Sequence, residues 1–178
     1  MKKLGCLLAL VLTTTAGAQA TPRVALNVAA GLIAKAQNSL LIYAPTMQNP
    51  EVTTAYRKAA TRDVTTVIIT TPEAVQQGSR NERVVQVAFA GWDTKTTQLY
   101  APKVTNAANS VPFVVIDETF ALVGHNLTQI PLPGDSVQVD LVRDPKIVAS
   151  LVKWVKSNAQ ANPQVDLLKW FSNRLKRP

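Results

Sequence analysis

Cysteine is almost absent from this 178-residue chain, and the single one, Cys6, lies in the N-terminal stretch. Residues 1–20 read as a signal peptide. Lys2 and Lys3 form a positive start, Leu4 to Leu12 are almost wholly apolar, and Ala18-Gln19-Ala20 places small residues around a cleavage point before Thr21. The mature chain then has no thiol, which excludes disulfides, thiol catalysis and cysteine-ligated metals. A lipid-modified cysteine does not fit, because Cys6 precedes most of the apolar run instead of following it. That run is also too short to span a bilayer, so no transmembrane segment is expected after cleavage. Histidine is equally scarce. His125 is the only one, and with scattered Asp and Glu it matches no ligand spacing, so no metal and no cofactor are expected.

What is present points to an exported domain, periplasmic or extracellular, stabilised by its core alone. The whole chain carries a formal charge of +8, with 19 basic residues against 11 acidic ones. Loss of Lys2 and Lys3 leaves the mature part clearly basic. Such a domain meets nucleic acid, anionic lipid or acidic polymers, or uses its charge for solubility alone.

Hydrophobic periodicity predicts one α/β domain over residues 21–160. Arg23 to Gln37 has helical spacing, with Val24, Val28, Leu32 and Ile33 as its apolar face. Ser39 to Ala44 reads as a buried strand, and Asn49-Pro50-Glu51 as the start of a helix running to about Arg62. The β-branched run Val64 to Thr71 predicts a strand, and Pro72 to Gln77 a short helix. Arg83 to Ala90 and Thr97 to Tyr100 are further strand candidates. Pro112 to Ile116 and Thr119 to Val123 form two strands around Asp117-Glu118, and Val137 to Leu141 alternates as a strand with one wet face. Asp144-Pro145 starts a helix bearing Ile147, Leu151, Trp154 and Val155. Beyond Asn162-Pro163, residues 161–178 form a basic amphipathic helix, Gln164 to Lys176, with Leu168, Phe171 and Leu175 on one face and Trp170 close by. Such a helix lies on an anionic surface, or packs on its own domain or on a partner.

The most informative stretch is Val111 to Thr128, VPFVVIDETFALVGHNLT. It resembles the active-site region of the phospholipase D-like superfamily, H-x-K-x-x-x-x-D followed by a hydrophobic strand and G-S-x-N. With the motif aspartate at Asp117, Gly124 falls on the family's glycine. Ser110 then stands at the catalytic histidine and Pro112 at the lysine. His125 takes the serine position, and Asn126 comes one residue early. Two outer segments add to the likeness. LIAKAQNSLLIYAPTMQNPEVTTAYRKAATRDVTTVIIT, with Ala59, Ala60, Arg62 and Val64, resembles the family's opening; SVQVDLVRDPKIVASLVKWV resembles its closing strand and helix.

The resemblance implies a mixed β-sheet flanked by helices, as in single-domain exported bacterial nucleases. It also implies a homodimer, because each domain contributes one motif to a shared site. In that family one histidine attacks phosphorus and the partner's protonates the leaving oxygen, while lysines and the asparagine hold the phosphate. Here Ser110 lacks an accompanying base and Pro112 removes a cation and an N–H. Asp135 or Ser136 lies near where an acid would orient the histidine. The expectation is therefore a catalytically degenerate domain that binds a phosphate-bearing partner, nucleic acid or anionic lipid, or serves as an envelope interaction module. The alternative is a divergent phosphodiesterase using His125.

Overall fold

The computed structural model describes residues 21–90, 96–103, 111–132, 134 and 137–176. The elements are β1 Arg23–Ala25, α1 Leu26–Ala34, β2 Ser39–Tyr43, α2 Pro50–Ala60, β3 Thr65–Ile69, α3 Arg83–Phe89, β4 Thr97–Tyr100, β5 Phe113–Ile116, β6 Phe120–Val123, β7 Gln138–Val142, α4 Pro145–Ala161 and α5 Leu167–Leu175. Short 3₁₀ turns occupy Pro72–Val75 and His125–Leu127. The seven strands form one mixed sheet in the order β1-β7-β6-β5-β2-β3-β4. β2, β3 and β4 run parallel, and the remaining neighbours are antiparallel.

Both faces of the sheet are covered. Residues from α1, α2, α3 and α5 pack with Leu40, Ile42, Ile68, Leu99, Val114 and Leu122 on one face. On the other, Val148 and Val155 of α4 pack with Leu41, Tyr43, Ile69, Phe113 and Val115. The central strands β2 and β5 are therefore buried on both sides, which is why they read as unbroken apolar runs. Helix starts follow the sequence signals. Asn49 caps α2 by accepting from Glu51 N and Val52 N at 3.1 and 3.2 Å, and Asp144 caps α4 by accepting from Lys146 N at 2.8 Å.

Four sequence expectations change. Arg83 to Ala90, expected as a strand, is helix α3. β3 and β4 are parallel, so the chain must cross back over the sheet between them, and Val84, Val85, Val87 and Ala88 form the buried side of that crossover. Arg23 to Ala25, expected as helix, is an edge strand paired with β7. Gln164 and Val165, expected in the last helix, extend the edge of β4: Gln164 bridges Tyr100, and Val165 N donates to Leu99 O at 2.8 Å. Helix α5 starts only after its cap, Asp166. It buries Leu167 and Trp170, while Leu168 and Leu175 face solvent at 51% and 86% exposure. Trp170 binds from both ends. Its Nε1 donates to Val75 O at 2.6 Å, and its carbonyl accepts from Gln77 Nε2 at 2.7 Å. The last helix thus packs on its own core.

Candidate functional site

The strand registers bring one set of ends to a common pole. Tyr43 at the end of β2 lies opposite Phe113 at the start of β5, Phe113 opposite Val123 at the end of β6, and Val123 opposite Asp140 near the start of β7. The segment Pro112, Gly124, His125 and Asn126 therefore sits at this pole, beside the carboxyl ends of the parallel strands where open α/β sheets place ligands. Asp117 sits at the other end of the β5–β6 hairpin, about 13 Å away along four strand residues.

At the distant end, Asp117 and Glu118 form a two-residue turn with φ of +51° and +55° at the two positions. Thr119 N closes it on Ile116 O at 3.0 Å, and the strands pair again from Ile116 opposite Phe120. Neither residue is the glycine or asparagine such a turn favours, and hydrogen bonds offset that strain. The Asp117 carboxylate accepts from Gln37 N, Asn38 N and Ser39 N at 2.7–3.2 Å, and Asp117 N donates to Ser39 O at 2.9 Å. Burial alone would raise the Asp117 pKa. The N–H groups of Ser39, Asn38 and Gln37, with the nearby Arg62 charge, outweigh it and hold the carboxyl below its ordinary range. Arg62 in turn donates to Ala34 O and, at 3.0 Å, to Ala36 O at the end of α1.

At the motif pole, Gly124 has φ +149° and ψ 154°, a backbone region that side chains disfavour. A Cβ there would meet Val139 at 3.5 Å, so conformation and not space requires the glycine. Gly124 N donates to the carbonyl of the buried Pro112 at 2.9 Å. The side chain of Asn126 donates to Gln138 O at 2.9 Å, so it fastens the turn to β7. Asn49, buried to 2% exposure, donates to Asn126 O at 2.9 Å and Gln129 O at 3.3 Å while its oxygen caps α2. Gln48 N and Asn49 N both donate to Thr128 O. The sequence marks Asn49 only as a helix start; its hold on residues 126–129 comes from chain segments almost 80 positions apart.

His125 is exposed, and among the described residues its imidazole has no hydrogen-bond partner. Ser110, Asp135 and Ser136 lie outside the described residues, as does Trp92. Tyr43 and Trp154 form an aromatic cluster with Phe113 beneath α4, at centroid distances of 5.3–6.0 Å, and belong to the core. Burial pushes the Tyr43 hydroxyl up to about 12, out of reach of acid–base work at neutral pH. Two cavities, of about 500 and 460 Å³, lie along α4 and beside β4; neither is lined by His125 or Asn126.

Comparison with solved structures places this geometry. The phospholipase D family member Nuc from Salmonella typhimurium superposes with a TM-score of 0.60 at 13% identity, over 78% of this chain and 88% of that one. NucT from Helicobacter pylori gives 0.57 at 14% identity, over 79% and 90%. The mixed sheet with helices on both faces is thus similar in fold to these two phospholipase D-type nuclease structures. TrmBL2, an archaeal chromatin protein described as having a novel mode of DNA binding, gives 0.54 at 15% identity, over 85% of this chain and 56% of that one. No family model matches the sequence, and no curated protein matches it either.

Within this fold, the structure brings Pro112, Gly124, His125 and Asn126 together and leaves Asp117 apart. Asp117 acts as a tie between the hairpin and the α1–β2 connection. Among the described residues, no three His, Asp or Glu side chains gather to hold a metal, and no helix is long and apolar enough to cross a membrane.

Proposed function

We propose that this protein is an exported, catalytically degenerate phospholipase D-like domain that binds an anionic, phosphate-bearing partner. The observation that carries the reading is Ser110 at the position the resemblance assigns to the catalytic histidine: a hydroxyl without an accompanying base is a poor nucleophile toward phosphorus. Two features support it. The position the resemblance assigns to a phosphate-holding lysine is Pro112, and the Asn126 amide is engaged by Gln138 O. Nucleic acid is the partner favoured by the basic mature chain and by the named DNA-binding and phospholipase D neighbours.

Pairing of two copies through the motif pole fits the same reading. Val111, Ile130, Leu132 and Val137 border this pole and are 41–70% exposed. The decisive experiment measures binding of the mature chain to labelled DNA and to anionic vesicles across salt, beside a chromogenic phosphodiester assay. The expected result is salt-sensitive DNA binding without turnover. Turnover that vanishes in His125→Ala would establish the divergent phosphodiesterase instead. Absence of binding at low ionic strength would remove the anionic-partner reading.

A further inference from the structure

Helix α4 carries charge of one sign only. Helix α4 has Lys146, Lys153 and Lys156 and no acidic residue over its 17 positions. Arg143 precedes it, with its guanidinium 5.9 Å from the centre of the Phe120 ring. Among the described residues, only Lys156 of these four cations forms an ion pair, with Glu118 at 2.7 Å. Beside this helix runs a trough of about 500 Å³, lined by one stripe of α4 from Pro145 to Gln160 and by Glu118 and Thr119 of the hairpin.

The shape of the trough limits its occupant. The stripe of α4 covers fifteen helical steps, about 22 Å, so it suits an elongated occupant. An extended peptide of about seven residues covers that length at about 3.3 Å per residue. The lining residues include no aromatic side chain on which bases of a single strand would stack. They offer lysine ammonium groups, the Ser157 and Thr119 hydroxyls and the Gln160 amide above a floor of Ala149 and Val152. The anion already seated on Lys156 is a carboxylate, that of Glu118. Glu118 is half-exposed on a turn, so an incoming carboxylate has access to the same ammonium.

We infer that the α4 trough is a docking site for an extended acidic segment of another protein, with Glu118 as the internal competitor for Lys156. This site is separate from the motif pole and does not depend on what that pole binds. The test is fluorescence anisotropy of a labelled glutamate-rich peptide titrated with the mature chain. Wild type binds at about 0.1 M salt and releases the peptide near 1 M, where the screening length falls to about 3 Å. Removing Lys146, Lys153 and Lys156 together, as Lys→Ala changes, weakens binding by about tenfold or more, since each exposed pair contributes up to about fivefold. Glu118→Gln strengthens binding by about twofold, because it frees Lys156. All of these side chains are at the surface, so the variants keep the fold, and circular dichroism checks this. Binding unchanged in the triple variant, or weakened by Glu118→Gln, overturns the proposal. An oligothymidylate of equal length that binds as tightly, and loses its affinity in the same triple variant, overturns the choice of peptide in favour of a nucleic-acid strand.

Discussion

The two ends of the β5–β6 hairpin carry the residues that the resemblance singles out, and the structure treats them differently. At the turn end, the Asp117 carboxylate takes the N–H groups of Gln37, Asn38 and Ser39. At the motif end, the backbone is tied through Asn49 and Asn126, while the exposed side chain of His125 has no hydrogen-bond partner among the described residues. Every tie at either end holds the chain to itself. The lesson is that positions matching a motif can be fixed by backbone needs alone. Asp117 and Gly124 have backbone reasons to stay. Position 112 has only the requirement to be buried and offer a carbonyl, which proline meets.

Substitutions at the two ends sharpen this contrast. The largest effect belongs to Asn49→Ala, which removes a helix cap and leaves Asn126 O and Gln129 O without their donor in a buried setting. A loss of about 3 kcal/mol in urea unfolding is expected. Asp117→Ala orphans the N–H groups of residues 37–39 and should cost about 2 kcal/mol by the same measurement. If Asn49→Ala cost less than Asp117→Ala, the motif end would be the looser of the two.

Acid titration tests the turn end separately. The unfolded Asp117 carboxyl titrates near the ordinary 3.8, and the folded one titrates lower. Below 3.8 the unfolded chain therefore binds a proton that the folded chain refuses. The stabilisation is complete well above 3.8 and is lost as pH falls through the folded value. Asp117→Asn should flatten that part of the stability–pH curve. It leaves the acid slope of Glu82, which is also depressed: burial would raise it, but the Gly78 N–H and Arg174 prevail. A curve identical to wild type would show that the Asp117 hydrogen bonds do not discriminate the charged form.

Smaller effects are expected at the turn that carries the histidine. Gly124→Ala should cost about 1–2 kcal/mol from its φ of +149°, with little from crowding. His125→Ala should change stability by less than about 0.5 kcal/mol, because the side chain is exposed. A large loss in His125→Ala would mean that the imidazole has a partner in solution, and would bring the two ends closer in kind.

Much of the architecture was readable before any coordinates. Unbroken apolar runs marked β2 and β5, and Asn49-Pro50 and Asp144-Pro145 marked the starts of α2 and α4. The two apolar runs flanking Asp117-Glu118 marked the hairpin, whose four-residue strands are joined by the three residues 117–119. Local sequence misread Arg83 to Ala90, because a β-branched stretch with apolar residues at consecutive and third positions fits a strand and a helix face alike. It also misread the apolar face of the last helix, since both Leu167 and Leu168 are available and only contact with α3 and the Pro72–Val75 turn selects Leu167 and Trp170.

By itself, then, the sequence determined the α/β class and most element positions. These depend on local periodicity, capping and residue identity. The tertiary structure decided the strand order, the crossover role of α3, the tie from Asn49 to residues 126–129, and the trough along α4 between its lysines and Glu118. Each of these depends on which distant segments share a sheet edge or a helix face, and no local pattern encodes that.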